Sequence, residues 1–192
     1  MIGRLLRKRY QIDSLLGEGS TATVYRATDN RLNRMVALKL LLPHVNESAR
    51  KRFFQESQSV AQLNHPGIMA IYDIDEEDGK IFLVIEYIEG ALLSDFVPSA
   101  PSEVIDLGQQ IADALHYAHE HNIIHRDIKP ANIKVTPEGQ IKLMDLGLAL
   151  PREAKRVTAA GMIIGTPAYL SPEQAQGLTL DHRTDIYSLG VV

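Results

Sequence analysis

His125-Arg126-Asp127-Ile128-Lys129-Pro130-Ala131-Asn132 is the stretch on which the reading of this chain turns. Polar and turn-forming residues dominate it, and it lies between a helical pattern and a hairpin. The helical pattern spans roughly residues 102–121, with Val104, Leu107, Ile111, Leu115 and Ala118 recurring on one face. The hairpin joins residues 133–136 to 141–144 through Pro137-Glu138-Gly139, and Asp145-Leu146-Gly147 follows at once. Taken alone, such a loop is compatible with ordinary solvated surface, so its meaning depends on what surrounds it.

Upstream, residues 10–16, 23–28 and 35–41 are rich in β-formers, with a turn signal at Asp29-Asn30. Asn46 or Ser48 is placed to cap a helix running to about Leu63, where Asn64-His65-Pro66-Gly67 stops it. Two further strands, 68–73 and 80–87, are joined by the acidic turn Glu76-Glu77-Asp78-Gly79. This half reads as a five-stranded antiparallel sheet with one helix. After Glu89-Gly90 the character turns helical, first in a short segment at 92–97 and then in the helix described above. Residues 145–173 hold no sustained period, and a loop that long inside a compact domain is usually functional.

Composition narrows the function classes. The 192 residues are 45% apolar and 23% charged, close to the average soluble domain. A net charge of −4 with Lys and Arg spread along the chain supplies no basic face for nucleic acid. The absence of cysteine excludes disulfides and thiolate metal sites and fits a reducing, cytoplasmic setting. No apolar run approaches the roughly 18 residues of a membrane span, and no signal-peptide core follows the basic start.

Three features upstream carry chemistry. Gly17-Glu18-Gly19-Ser20-Thr21-Ala22 is a glycine-bearing turn followed by β-favouring Thr23-Val24-Tyr25, so the order is strand, turn, strand. A dinucleotide-binding loop would instead open a helix. Lys39 shares a strand face with Ala37 and Leu41. Glu56 falls in a helical stripe with Ala49, Phe53, Val60 and Leu63, where a buried carboxylate demands a cation, and Lys39 is the natural one. A purely structural ion pair satisfies that argument equally well. Two rival sites fail: a calcium loop counted from Asp73 puts Asp78 where glycine is required, and the histidines 116, 119, 121 and 125 lack a carboxylate or cysteine in register.

In series, the glycine loop, the strand lysine, the helix glutamate, the 125–132 loop and Asp145-Leu146-Gly147 resemble the protein kinase family over nearly the whole chain. Lys129, two residues after Asp127, looks like the serine/threonine version, and the wording around Gly165-Thr166-Pro167-Ala168-Tyr169-Leu170-Ser171-Pro172-Glu173 is similar to bacterial, eukaryotic-like serine/threonine kinases. The resemblance implies an α+β, bilobal kinase-like fold in one domain, 1–192. A small antiparallel sheet lobe with one helix (10–87) precedes a mainly helical large lobe (88–192) that is incomplete, with an activation segment at 145–173. It implies transfer of the γ-phosphate of ATP to serine or threonine of a protein substrate. An inactive truncated fragment and a nucleotide-binding pseudokinase or scaffold are the alternatives, although pseudokinases commonly lose one of Lys39, Glu56, Asp127, Asn132 and Asp145.

By motif position, the backbone at Gly17, Glu18, Gly19, Ser20, Thr21 and Ala22 covers the phosphates, and Lys39, held by Glu56, meets the α- and β-phosphates. Asn132 and Asp145 hold magnesium, two ions in all. Asp127 takes the substrate proton, and Lys129 neutralises the γ-phosphate. Val24 and Ala37 lie above the adenine, the backbone of Glu86 and Ile88 beside it, Ile85 at its rear, and Lys134 beneath it, where the family usually has an apolar residue. The Lys134 ammonium is expected to reach water past the base. Ala22 stands where the motif usually has glycine. Arg126 implies regulation by a phosphate, with Thr158 the acceptor and Thr166 structural, and with a second copy of the chain as partner in autophosphorylation. The chain is expected to stop inside a buried helix begun by residues 185–190, leaving Glu173 without its usual cation and an apolar patch exposed.

Overall fold

Residues 1–96, 98, 100–147 and 167–192 are described here from a computed structural model. They divide into two units, Met1–Ala61 with Ala70–Tyr87, and Gln62–Met69 with Ile88–Val192. The first unit holds an antiparallel sheet of β1 (Leu5–Leu6), β2 (Tyr10–Glu18), β3 (Ala22–Asp29), β4 (Arg34–Leu41), β5 (Ile71–Glu77) and β6 (Lys80–Glu86), ordered β1-β2-β3-β4-β6-β5. One helix, α1 (Glu47–Val60), is added, capped by the Asn46 side chain accepting from Ala49 N. Leu6, Tyr10, Ile12, Ala27, Val36, Leu38, Leu40, Phe82 and Val84 form the sheet's core. α1 buries Ala49, Phe53, Ser57 and Val60.

The sheet has six strands where five were expected. The extra one, β1, turns into β2 through Arg7 and Lys8, both left-handed (φ 50° and 52°), with Arg9 N bonding Leu6 O at 2.9 Å. β5 begins at Ile71 and not at 68, because residues 67–69 bond elsewhere. Leu143 N donates to Gly67 O (2.8 Å) and Met69 N donates to Leu143 O (3.0 Å), which assigns them to the second unit. Helix α1 ends at Val60, three residues before the expected stop.

The second unit contains β7 (Ala91–Leu92), α2 (Pro101–Glu120), β8 (Ile133–Val135), β9 (Ile141–Leu143), α3 (Pro172–Gln176) and α4 (Arg183–Leu189), with β7, β8 and β9 forming a small sheet. Leu107, Ile111, Ala114, Leu115 and Ala118 are the buried face of α2. Val104, assigned to that face from the sequence, is 54% exposed. It sits in the first turn, before Gln110, whose side chain bonds the hairpin at Gly139 O and Ile141 N. The segment expected to be helical at 92–97 instead begins inside β7, and Val97 lies outside the described residues. Backbone proximity explains this: a Cβ on Gly90 (φ 124°) would sit 2.1 Å from Val135 O, so only glycine lets the chain lie this close to β8. On α4 the buried residues are Thr184, Asp185 and Ser188, while Ile186 and Tyr187 are exposed, so the buried side of this helix is its polar one.

No helix among the described residues is long and apolar enough to cross a membrane.

Candidate active site

The β8–β9 register sets the geometry. Ile133 pairs with Leu143, and Met144 N donates to Asn132 O at 2.9 Å, so Asn132 and Asp145 flank the same end of the hairpin. Just before β8, Pro130–Asn132 makes a single 3₁₀ turn with proline at its first position, where no amide hydrogen is required. That turn returns Asn132 to Asp127: its Nδ2 donates to Asp127 O (2.7 Å) and to Asp127 Oδ2 (2.9 Å). Lys129 Nζ donates to the same carboxylate oxygen at 2.7 Å. Burial pushes the Asp127 carboxyl up, but the Lys129 ammonium and the Asn132 amide outweigh it and hold the group below its ordinary value. Asp127 is thus ionised, oriented and partly exposed, which is what a proton acceptor needs.

The loop entrance hangs from one buried carboxylate that the sequence reading had treated only as the start of a helix. Asp185, fully buried, accepts from His125 N, Arg126 N and His119 Nε2, each at 2.8 Å. Three donors are what make a buried charge tolerable. Arg126 takes a left-handed conformation (φ 68°), and so does Asp145 (φ 58°). His125 is completely buried, and that burial keeps its imidazole neutral by lowering its pKa. From α3, Gln174 Nε2 reaches Arg126 O at 2.7 Å. Asp185, His119 and Gln174 were missed as site residues. The signal for Asp185 was a polar stripe at 184, 185 and 188 inside an apolar run, readable only once its partners some sixty residues away are known.

The remaining sequence-assigned residues lie as follows. Gly17-Glu18-Gly19-Ser20-Thr21-Ala22 closes β2 onto β3, Gly17 pairing with Val24 and Glu18 with Thr23, and Gly19 N donating to Ala22 O at 2.8 Å. The order is strand, turn, strand. Lys39 lies on the interior strand β4 and is 9% exposed. Ala37 and Ile85 are buried, Val24 is half-buried, and Glu56 is half-buried on α1. Glu86 Oε2 accepts from Ala70 N at 3.0 Å. Lys134 corrects an expectation. Its ammonium turns to the backbone and donates to Ile88 O at 2.7 Å, a bond to a half-buried cation whose pKa burial lowers. Glu173, expected to want a cation, accepts from Thr184 Oγ1 at 2.6 Å, and that bond lowers its pKa. Thr158 and Thr166 lie outside the described residues.

The donor set suits magnesium. With its amide nitrogen spent on Asp127, Asn132 has its oxygen turned the other way, and Asp145 adds a carboxylate at the same hairpin end. Both are hard oxygen ligands. Among the described residues no cluster of three or more His, Cys, Asp or Glu is placed to hold an ion alone. Magnesium commonly takes one or two carboxylates and completes its shell with substrate phosphates and water.

Known proteins resemble this chain along nearly its whole length. The protein kinase domain family matches residues 10–192. The serine/threonine-protein kinase PrkC of Bacillus subtilis is 40% identical over all of this chain and 31% of its own length. PknB of Mycolicibacterium smegmatis is 43% identical over 97% of this chain and 32% of its own length. The DNA damage-responsive kinase RqkA of Deinococcus radiodurans is 39% identical over 99% and 30% respectively. The chain therefore spans about a third of the length of these curated relatives. Among solved structures, a point mutant of the PknI kinase domain of Mycobacterium tuberculosis superposes with a TM-score of 0.74 at 30% identity, covering 94% of this chain and 70% of that one. A match across 10–192, relatives at about 40% identity along the whole chain, and a solved kinase domain of the same fold place this chain in the protein kinase domain family.

Proposed function

We propose that the protein transfers the γ-phosphate of ATP to serine or threonine hydroxyls of protein substrates. The observation that carries this reading is the Asp127 carboxylate, fixed by Lys129 and Asn132 at the hairpin end that also bears Asp145. Phosphoryl transfer asks a protein mainly for positioning and charge stabilisation. Asp127 orients the incoming hydroxyl and takes its proton. Lys129, already bonded to Asp127, offsets charge on the transferring group. Lys39 meets the α- and β-phosphates with Glu56 as its partner, and the backbone of Gly17-Glu18-Gly19-Ser20-Thr21-Ala22 covers them. Asn132 and Asp145 hold magnesium, two ions in this reading, which when bound neutralises the phosphate oxygens. Val24 and Ala37, the backbone of Glu86 and Ile88, and the Lys134 stem meet the base.

Residues 1–192 act in this reading as one catalytic domain, working where ATP is held, in the cytoplasm. Arg126 receives a phosphate on Thr158, placed there by a second copy of the chain, while Thr166 has a structural part. Replacing Thr158 with alanine is expected to lower activity, and full activity in that variant removes the regulatory part.

The test is mass spectrometry after incubation with magnesium and ATP. Phosphoserine or phosphothreonine in the wild type and none with Lys39→Met is the expected result. No phosphorylation of the protein or of any added protein leaves a nucleotide-binding pseudokinase instead.

A further inference from the structure

We propose that Gln174 is a positioning residue for Asp127, acting through the peptide bond that joins Arg126 to Asp127. Gln174 is the third residue of α3, and its side chain does two jobs. Its Oε1 accepts from Ser171 N at 3.1 Å, completing a capping box in which Ser171 Oγ accepts from Gln174 N. Its Nε2 donates to Arg126 O at 2.7 Å. The orientation of the amide is fixed by its partners, since a backbone N–H only donates and a backbone carbonyl only accepts.

The second bond falls where the loop is under most constraint. Arg126 is a non-glycine residue at φ 68°, a conformation that costs on the order of 1 kcal/mol or more and persists only when its surroundings enforce it. Asp185 holds the N–H of Arg126 at 2.8 Å, and Gln174 holds its carbonyl. That carbonyl belongs to the peptide whose N–H is the amide of Asp127, directed at His125 Nδ1 at 3.4 Å. This last bond is long and weak, so the orientation of the plane from which the Asp127 side chain springs rests chiefly on Gln174. Lys129 and Asn132 then fix the carboxylate itself. Capping α3 alone does not require a donor on residue 174, because a glutamate at this position of a capping box serves as well. The amide nitrogen is therefore the part of Gln174 that helix stability leaves unexplained.

This inference rests on Asp127 being the proton acceptor, and the experiment separates the two. In the protein expressed from its full reading frame, Gln174→Glu keeps the capping oxygen and loses the donor to Arg126, whereas Gln174→Met loses both. Gln174→Glu is expected to melt within about 2 °C of wild type, to lose about tenfold or more in kcat, and to leave the ATP KM within about twofold. Amide hydrogen exchange at Asp127 is expected to quicken in both variants. A Gln174→Glu enzyme with wild-type kcat and unchanged exchange at Asp127 overturns the inference, as does a kcat loss confined to Gln174→Met, which marks a structural role. Asp127→Asn runs beside them: wild-type kcat in that variant removes the assignment of Asp127 itself, and with it this inference.

Discussion

At the scale of single residues, Asp29 is a firmly held buried charge outside the site. It is fully buried, accepts two bonds from Arg9 at 2.8 and 2.7 Å, and accepts from Arg31 N and Leu32 N as the chain turns from β3 to β4. The Arg9 hydrogen bond is the largest influence and holds the carboxyl near 2, below its ordinary 3.8. A carboxyl whose folded value is depressed stabilises fully above its unfolded value and loses that stabilisation as pH falls through the folded one. Asp29 therefore contributes above about pH 4 and ceases to contribute towards pH 2. Asp29→Asn is expected to cost about 2 kcal/mol near neutrality and to flatten the acid limb of a stability-against-pH curve between those limits, as urea titrations at several pH values would read. An unchanged acid limb contradicts the assignment. Lys134 teaches the opposite lesson. The sequence put a cation where the family has an apolar residue, but which acceptor its ammonium takes depended on the Ile88 carbonyl, a partner 46 positions away.

Elements were legible where local chemistry alone determines them. The β5–β6 turn is Asp78-Gly79, both left-handed (φ 51° and 71°), a pairing that favours two-residue hairpins; the sequence placed the turn there but made it four residues long, whereas Glu76 and Glu77 belong to β5 and Glu77 pairs with Lys80. The β1–β2 turn also has two left-handed residues, Arg7 and Lys8, but it is one residue longer, Leu6 pairing with Tyr10, and these residues carry no such signal. Arg7 is held instead by Asp75 at 2.7 Å and by Glu77, whose carboxylate accepts from Arg7 N at 2.9 Å, some seventy residues on. Local pattern cannot reveal a turn that long-range charge enforces. The same holds at the site. Its loop and hairpin were visible as a run of motifs, but the Asp185 and Gln174 contacts that shape it join segments far apart. Gly90 gives the element-scale prediction. Gly90→Ala would drive a Cβ into Val135 O at a φ that side chains avoid, and it is expected to destabilise the protein by at least about 2 kcal/mol. Thermal melting checks this, and a shift of under about 1 °C contradicts the close approach of Gly90 to β8.

For the whole molecule, the division after Tyr87 sorts the chemistry. Lys39, Glu56 and the glycine turn belong to the first unit, and Asp127, Asn132 and Asp145 belong to the second. Neither set alone describes a phosphotransferase. The first offers a cation and backbone amides to phosphates, and the second offers a base and oxygen ligands. The most direct measurement is the steady-state transfer of label from γ-labelled ATP to protein by wild type and Asp127→Asn, with kcat and the ATP KM determined separately. Loss of the base is expected to lower kcat at least about a hundredfold while the nucleotide KM moves by no more than about threefold. Label transferred at the wild-type rate, or a defect that appears only in KM, would contradict the account.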